Sequence, residues 1–110
     1  MQNKWLKIIQ DLKDNPRDLH TVPKNSAKPK WFYAYTDGDK IYVENAKEHT
    51  PSSSISLRRA LDFTNFEKIY PIHLRREKGE SVSKEATKAT VNQVYWFSII
   101  TFCLGEDSCC

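Results

Sequence analysis

Apolar residues recur at Trp5, Ile8, Ile9 and Leu12, with Lys, Gln and Asp between them. That spacing of i, i+3, i+4 and i+7 marks one face of a helix. Asn3 is placed to cap it and Asn15-Pro16 to stop it, so an amphipathic helix is predicted over residues 4–13. The next stretch, residues 14–30, carries Pro16, Pro23 and Pro29 among polar and basic side chains with neither helical nor alternating periodicity. It reads as an extended basic arm or linker.

Residues 31–44 switch to a strand pattern: two β-prone runs, WFYAYT and KIYVE, meet at Asp37-Gly38. Asp-Gly between such runs is the strongest short-range hairpin signal in the chain. A two-residue turn pairs Thr36 with Asp39. Phe32, Ala34, Ile41 and Val43 then share one face, while Trp31, Tyr33, Tyr35, Lys40, Tyr42 and Glu44 share the other. A one-residue bulge at the turn would mix the two sets. Residues 45–56 are turn-forming and read as a loop, after which Ser56 is placed to cap a short helix reaching Leu61.

Thr64-Asn65-Phe66-Glu67 has the form of a capping box, and Phe66, Ile69, Tyr70, His73 and Leu74 keep helical spacing behind it, so a helix is expected over residues 64–77. Pro71 opposes a straight helix, and alternation at Tyr70, Ile72 and Leu74 offers a strand as the rival. A charged turn follows, ending in Gly79. Thr90-Val91-Asn92-Gln93 is a second capping box, and the helix behind it, residues 91–104, is apolar on nearly every side. Gly105 is placed to close it, leaving residues 105–110 as a flexible tail. The architecture expected is α+β: an N-terminal helix, an aromatic β-hairpin or small antiparallel sheet, and two C-terminal helices.

Length and composition add a boundary to this picture. At 110 residues, with 39% hydrophobic, 28% charged and 12% aromatic side chains, the chain suits one domain, residues 1–110, with a core of its own. The first dozen residues lack the unbroken apolar region of a secretory signal. Residues 94–104 would cover about 16 Å as a helix against about 30 Å of bilayer hydrocarbon, which makes them core rather than membrane span. Cys103, Cys109 and Cys110 crowd the C-terminal end and allow no framework of loop-closing disulfides, so a reducing, cytoplasmic setting is expected.

No pattern for catalysis or cofactor binding emerges, and none for metal. His20, His49 and His73 are dispersed, and the cysteines form no C-x-x-C pair. The serines of Pro51-Ser52-Ser53-Ser54 lack a nucleophile elbow, and the three glycines are far apart. Formal charge is +3, but the basic excess is uneven: residues 1–30 hold seven Lys/Arg against three Asp/Glu, and residues 56–93 hold eight against five.

Two surfaces therefore compete for a function. One is basic, with Lys24, Lys28, Lys30, Arg58, Arg59, Arg75, Arg76, Lys78, Lys84 and Lys88 as candidate phosphate contacts. With Tyr33, Tyr35 and Tyr42 as stacking groups, it points to a non-enzymatic module that binds DNA or RNA. The segment from Val82 to Asn92 has the texture of a helix-turn-helix recognition segment but lacks the preceding helix and turn. The alternative is a protein-binding adaptor or inhibitor, of the kind mobile elements encode, using the aromatic hairpin face as its hot spot. Convergence of the cations on one accessible patch favours the first reading; scattering and neutralisation favour the second.

Overall fold

The computed structural model describes residues 2–23 and 28–108, and these form four strands and four helices. The order is α1 (Gln2–Asp14), β1 (Arg17–His20), β2 (Trp31–Thr36), β3 (Ile41–Asn45), β4 (Arg59–Leu61), α2 (Phe63–Glu77), α3 (Ser83–Ala89) and α4 (Gln93–Ser108). The sheet is an antiparallel meander, β1-β2-β3-β4. The helices build the hydrophobic core against one face of it.

The packing follows from α4, whose residues Tyr95 to Ile100 are all buried. A helix apolar on nearly every side must be covered on every side. α1 supplies Trp5, Ile8, Ile9 and Leu12, α2 supplies Phe66, Ile69 and Tyr70, and the sheet supplies Leu19, Phe32, Ala34, Ile41, Val43 and Leu61. Trp5, Phe66 and Trp96 meet in an aromatic triangle with centroids 5.7–6.2 Å apart, and Tyr95 sets its ring edge-on to Phe32 at 5.0 Å. Ser98 within the run and Thr101 just beyond it both find backbone acceptors. Ser98 donates to the His20 carbonyl at 2.6 Å, which ties α4 to β1, and Thr101 donates to the Phe97 carbonyl at 2.7 Å.

Several sequence expectations meet corrections here. There are three helices after the sheet rather than two, the additional one being α3. Within the supposed linker 14–30, Arg17–His20 forms β1, because pairing with β2 supplies the order that local pattern lacks. The short helix expected from Ser56 to Leu61 is instead the loop into β4, whose three residues pair with Ile41–Val43. A sheet edge outweighs a weak capping signal. α2 is a helix as expected, but Asp62 caps it, accepting from the Asn65 N–H at 2.9 Å. Pro71 is accommodated on its exposed side while Ile69, Tyr70 and His73 hold the opposite side in the core. Gly79, at φ +93°, ends the turn after α2 in a conformation suited to glycine. Gly105 does not close α4, which continues to Ser108; residues 105–108 are therefore helical, and residues 109–110 lie outside the described part.

The hairpin register also differs from expectation, in an instructive way. Thr36 pairs with Ile41, so the loop is Asp37-Gly38-Asp39-Lys40 and the pairing is displaced by two residues. Two is the side-chain period of a strand, so the division of faces survives. Phe32, Ala34, Ile41 and Val43 are buried; Trp31, Tyr33, Tyr35, Tyr42 and Glu44 are half-buried on the other face.

Two substitutions test this account of the core. Phe66→Ala removes a corner of the aromatic triangle and is expected to cost about 3–5 kcal/mol in urea unfolding. Gly105→Ala is expected to stabilise by up to about 1 kcal/mol, because the position is helical and an added Cβ meets nothing within 4 Å. Destabilisation by the latter would mean that α4 ends before residue 105.

Candidate functional site

The sheet face turned away from the helices carries a row of aromatic rings. Tyr35 and Tyr42 are direct cross-strand partners with centroids 5.5 Å apart and planes 28° from parallel, and Tyr33 follows Tyr35 at 5.6 Å. This is the set expected to form a stacking platform; Leu12 and Lys13 of α1 border it beside Tyr33 and Tyr35, and Phe102 of α4 reaches His20, next to Trp31, at 4.8 Å.

The turn builds one end of the row. Asp37 accepts from the N–H groups of Asp39 and Lys40 through Oδ1, each at 2.9 Å, and from the Tyr42 hydroxyl through Oδ2 at 2.9 Å. Gly38 adopts φ +96° at the tip, and Thr36 Oγ1 accepts from its N–H while donating to the Lys40 carbonyl. Those backbone donors, with the tyrosine hydroxyl, lower the Asp37 carboxyl to about 2, and the same hydroxyl contact raises Tyr42 above its ordinary value. Tyr35 donates to Glu44 Oε2 at 3.3 Å and accepts from Arg58 Nη1 at 3.0 Å. The Arg58 guanidinium lies 4.3 Å over the Tyr42 ring.

Asp18 builds the other end. Its carboxylate on β1 accepts from the N–H groups of Lys47, Glu48 and His49 at 2.8–3.0 Å, and contacts His49 Nδ1 at 3.0 Å. Burial opposes its ionisation, yet the three backbone donors and the imidazole outweigh burial and hold it at about 2. The loop so anchored places two more groups on the aromatic row. His49 stacks on Trp31 with centroids 3.9 Å apart, and Lys47 Nζ sits 4.4 Å from the Tyr33 centroid. A cleft of about 570 Å³ opens between Pro16, Trp31, Tyr33 and this loop.

The candidate phosphate contacts do not join this surface, with one exception. Arg58 lies on the aromatic face. Arg59 turns to the helix side, donating to Asn92 Oδ1 at 2.9 Å with its guanidinium 5.8 Å from the Tyr95 ring. Arg75 is engaged by Glu80 at 3.0 Å and by both carboxylate oxygens of Glu85, which links the end of α2 to α3. Arg76 donates to the Val22 carbonyl and packs over Phe97. Lys78, Lys84 and Lys88 are exposed at the α2 end and on α3, and Lys28 and Lys30 are exposed ahead of β2. Lys24 lies outside the described residues.

Asp18, Asp37, Lys47 and His49 complete the aromatic face with Glu44; the strand pattern places Glu44 there, and the other four are not singled out for it by the sequence. Asp37 carried a readable signal in its turn. Asp18 did not, because the groups it holds lie 29 to 31 positions further on.

Ser52 and Cys103, elsewhere in the molecule, are held within the fold. Ser52 accepts from the Ala46 N–H and donates to the Ser53 carbonyl. Burial, with the Asp11 carboxylate beside it, pushes the Cys103 thiol up to about 12. Among the described residues, no three of His, Cys, Asp and Glu converge as metal ligands, and no helix is long and apolar enough to cross a membrane. The fold is thus α+β with a one-sided sheet, and comparison with known proteins finds no matching family model, curated protein or solved structure.

The two anchored carboxylates make the structure acid-sensitive. Both have folded values lowered from 3.8 to about 2, so their contribution is complete above the unfolded value and is lost as pH falls through the folded one. Stability measured by urea midpoint is expected to drop between about pH 4 and about pH 2. Asp18→Asn, whose amide nitrogen would face backbone donors, is expected to be less stable at neutral pH with a shallower acid decline. Parallel curves for variant and parent would refute that role for Asp18.

Proposed function

We propose that this chain is a non-enzymatic protein-binding module whose contact surface is the open aromatic face of the sheet. The observation that carries this reading is the mixed charge built into the row of rings. Carboxylates of Asp18, Asp37 and Glu44 are hydrogen-bonded within it, interleaved with Arg58 and Lys47. A polyanion would meet carboxylates beside the rings on which its bases should stack; a folded protein offers both signs of charge to match.

Ring occupancy supports the same reading. Trp31, Tyr33 and Tyr42 already carry His49, Lys47 and Arg58 over their faces, so a base must displace a packed group before it can stack. A protein partner can use the surface as it stands. Tyr, Trp and Arg held in fixed positions by hydrogen bonds are the composition and the pre-organisation of an interface hot spot. Nucleic-acid binding has a different observation in its favour: Lys78, Lys84 and Lys88 stand exposed together in sequence and on neighbouring elements at the α2 and α3 end.

One experiment separates the two. A photo-crosslinking side chain placed at the exposed Lys40 identifies the partner, which is then purified and titrated against parent and variants. Tyr33→Ala with Tyr42→Ala is expected to weaken its binding by about thirtyfold or more, while Lys84→Ala with Lys88→Ala leaves it within about threefold. Single-stranded DNA and RNA should form no complex at micromolar protein in low salt. A salt-dependent oligonucleotide complex abolished by the lysine pair, with no purified protein bound through the tyrosines, would overturn the proposal.

A further inference from the structure

A cleft of about 400 Å³ opens on the helix side of the molecule, at the end where the chain leaves β1 and enters β2. It shares no residue with the aromatic face. Val22, Val94, Tyr95 and Phe97 give it an apolar wall, Arg76 enters from the end of α2, and Lys28 and Lys30 stand at its exposed rim. The volume falls in the range of small-molecule sites, which typically pair an apolar lining with a few placed polar groups.

Arg76 is the unusual element. Its side chain is only 12% exposed, and its Nη2 donates to the Val22 carbonyl while the guanidinium lies 4.3 Å over the Phe97 ring. Nη1 is buried and has no hydrogen-bond partner among the described residues; the nearest carboxylate oxygen, Glu77 Oε1, is 4.0 Å away. A guanidinium withdrawn from water with an idle donor is costly unless an acceptor completes it. Burial accordingly lowers the Arg76 pKa, with Glu77 only partly offsetting it.

We infer that this cleft binds a small organic monoanion: a carboxylate that completes Arg76 Nη1, attached to an apolar body that lies along Val22, Val94, Tyr95 and Phe97. A single buried donor beside one distant carboxylate suits one negative charge rather than a polyphosphate. Lys28 and Lys30 add attraction at the entrance, screened by salt.

Octanoate, octanol and inorganic phosphate serve as probes, titrated into the full chain and followed by amide NMR shifts. Octanoate is expected to saturate, moving Val22, Val94, Tyr95 and Phe97; octanol should bind about tenfold or more weakly, the loss expected for one charge-assisted hydrogen bond. Phosphate should not saturate. Arg76→Gln is expected to bring octanoate down to the octanol level. Should that variant fail to fold, Val94→Trp decides, because Val94 is 46% exposed and the larger ring fills the cleft without entering the core. Equal binding of octanol and octanoate, no saturation by octanoate, or full octanoate affinity in folded Val94→Trp would each overturn the assignment. None of these results bears on the protein-binding face, which the tyrosine pair tests separately.

Discussion

Coverage of α4 is the constraint on which the rest of the structure depends. Tyr95 to Ile100 are buried without interruption, so no side of that stretch can be left to water. The burial of one Leu-, Ile- or Phe-sized side chain is worth roughly 1.5–3 kcal/mol, and the run contributes several. α1, α2 and the sheet therefore all gather on the same helix. A consequence is that the buried surfaces of α1, α2 and α4 are committed to one face of the sheet. Helices reach the other only at its borders, through Leu12, Lys13 and Phe102, and leave the rest of that face to its own side chains.

Those side chains explain how an uncovered sheet face can be orderly. Tyr35 and Tyr42 are fixed through their hydroxyls by Glu44 and Asp37, and Trp31 is covered by an imidazole that Asp18 positions. Each ring keeps an exposed part but loses little freedom on engagement, which favours recognition over mere solvation. The basic residues follow another logic. Arg59, Arg75 and Arg76 bind elements of the fold to one another, so much of the positive charge that suggested a polyanion partner is spent internally. The cleft at Arg76 is the place where that internal use is incomplete.

How much of this was legible in the sequence depended on whether a signal was local. α1 declared itself by its stripe, α2 by its spacing despite Pro71, and α4 by its apolar run, although it begins at Gln93 rather than at Val91. The two faces of the hairpin were legible although its register was not, because a displacement of two residues leaves each strand side chain on its own face and moves only Lys40, with Asp39, into the turn. β1 and β4, at four and three residues, are too short to show alternation and exist through their neighbours. Gly105 misled because a glycine at a plausible helix end can also sit inside a helix whose tertiary packing offsets its cost. The aromatic half of the site was visible as residue types, Glu44 as a member of the same face and Arg58 as a cation; the Asp18 anchor with Lys47 and His49 was not, since Asp18 acts on a loop far along the chain.

Solvent reactivity of the five tyrosines in the free protein tests the one-sided sheet most directly. Hydroxyl-radical footprinting read by mass spectrometry should show Tyr33, Tyr35 and Tyr42 modified readily, with Tyr70 and Tyr95 protected at 7% and 8% exposure. Tyr95 reacting as fast as Tyr42, or Tyr33 and Tyr35 protected with the core tyrosines, would contradict an arrangement in which α4 claims the helices and leaves the aromatic face open.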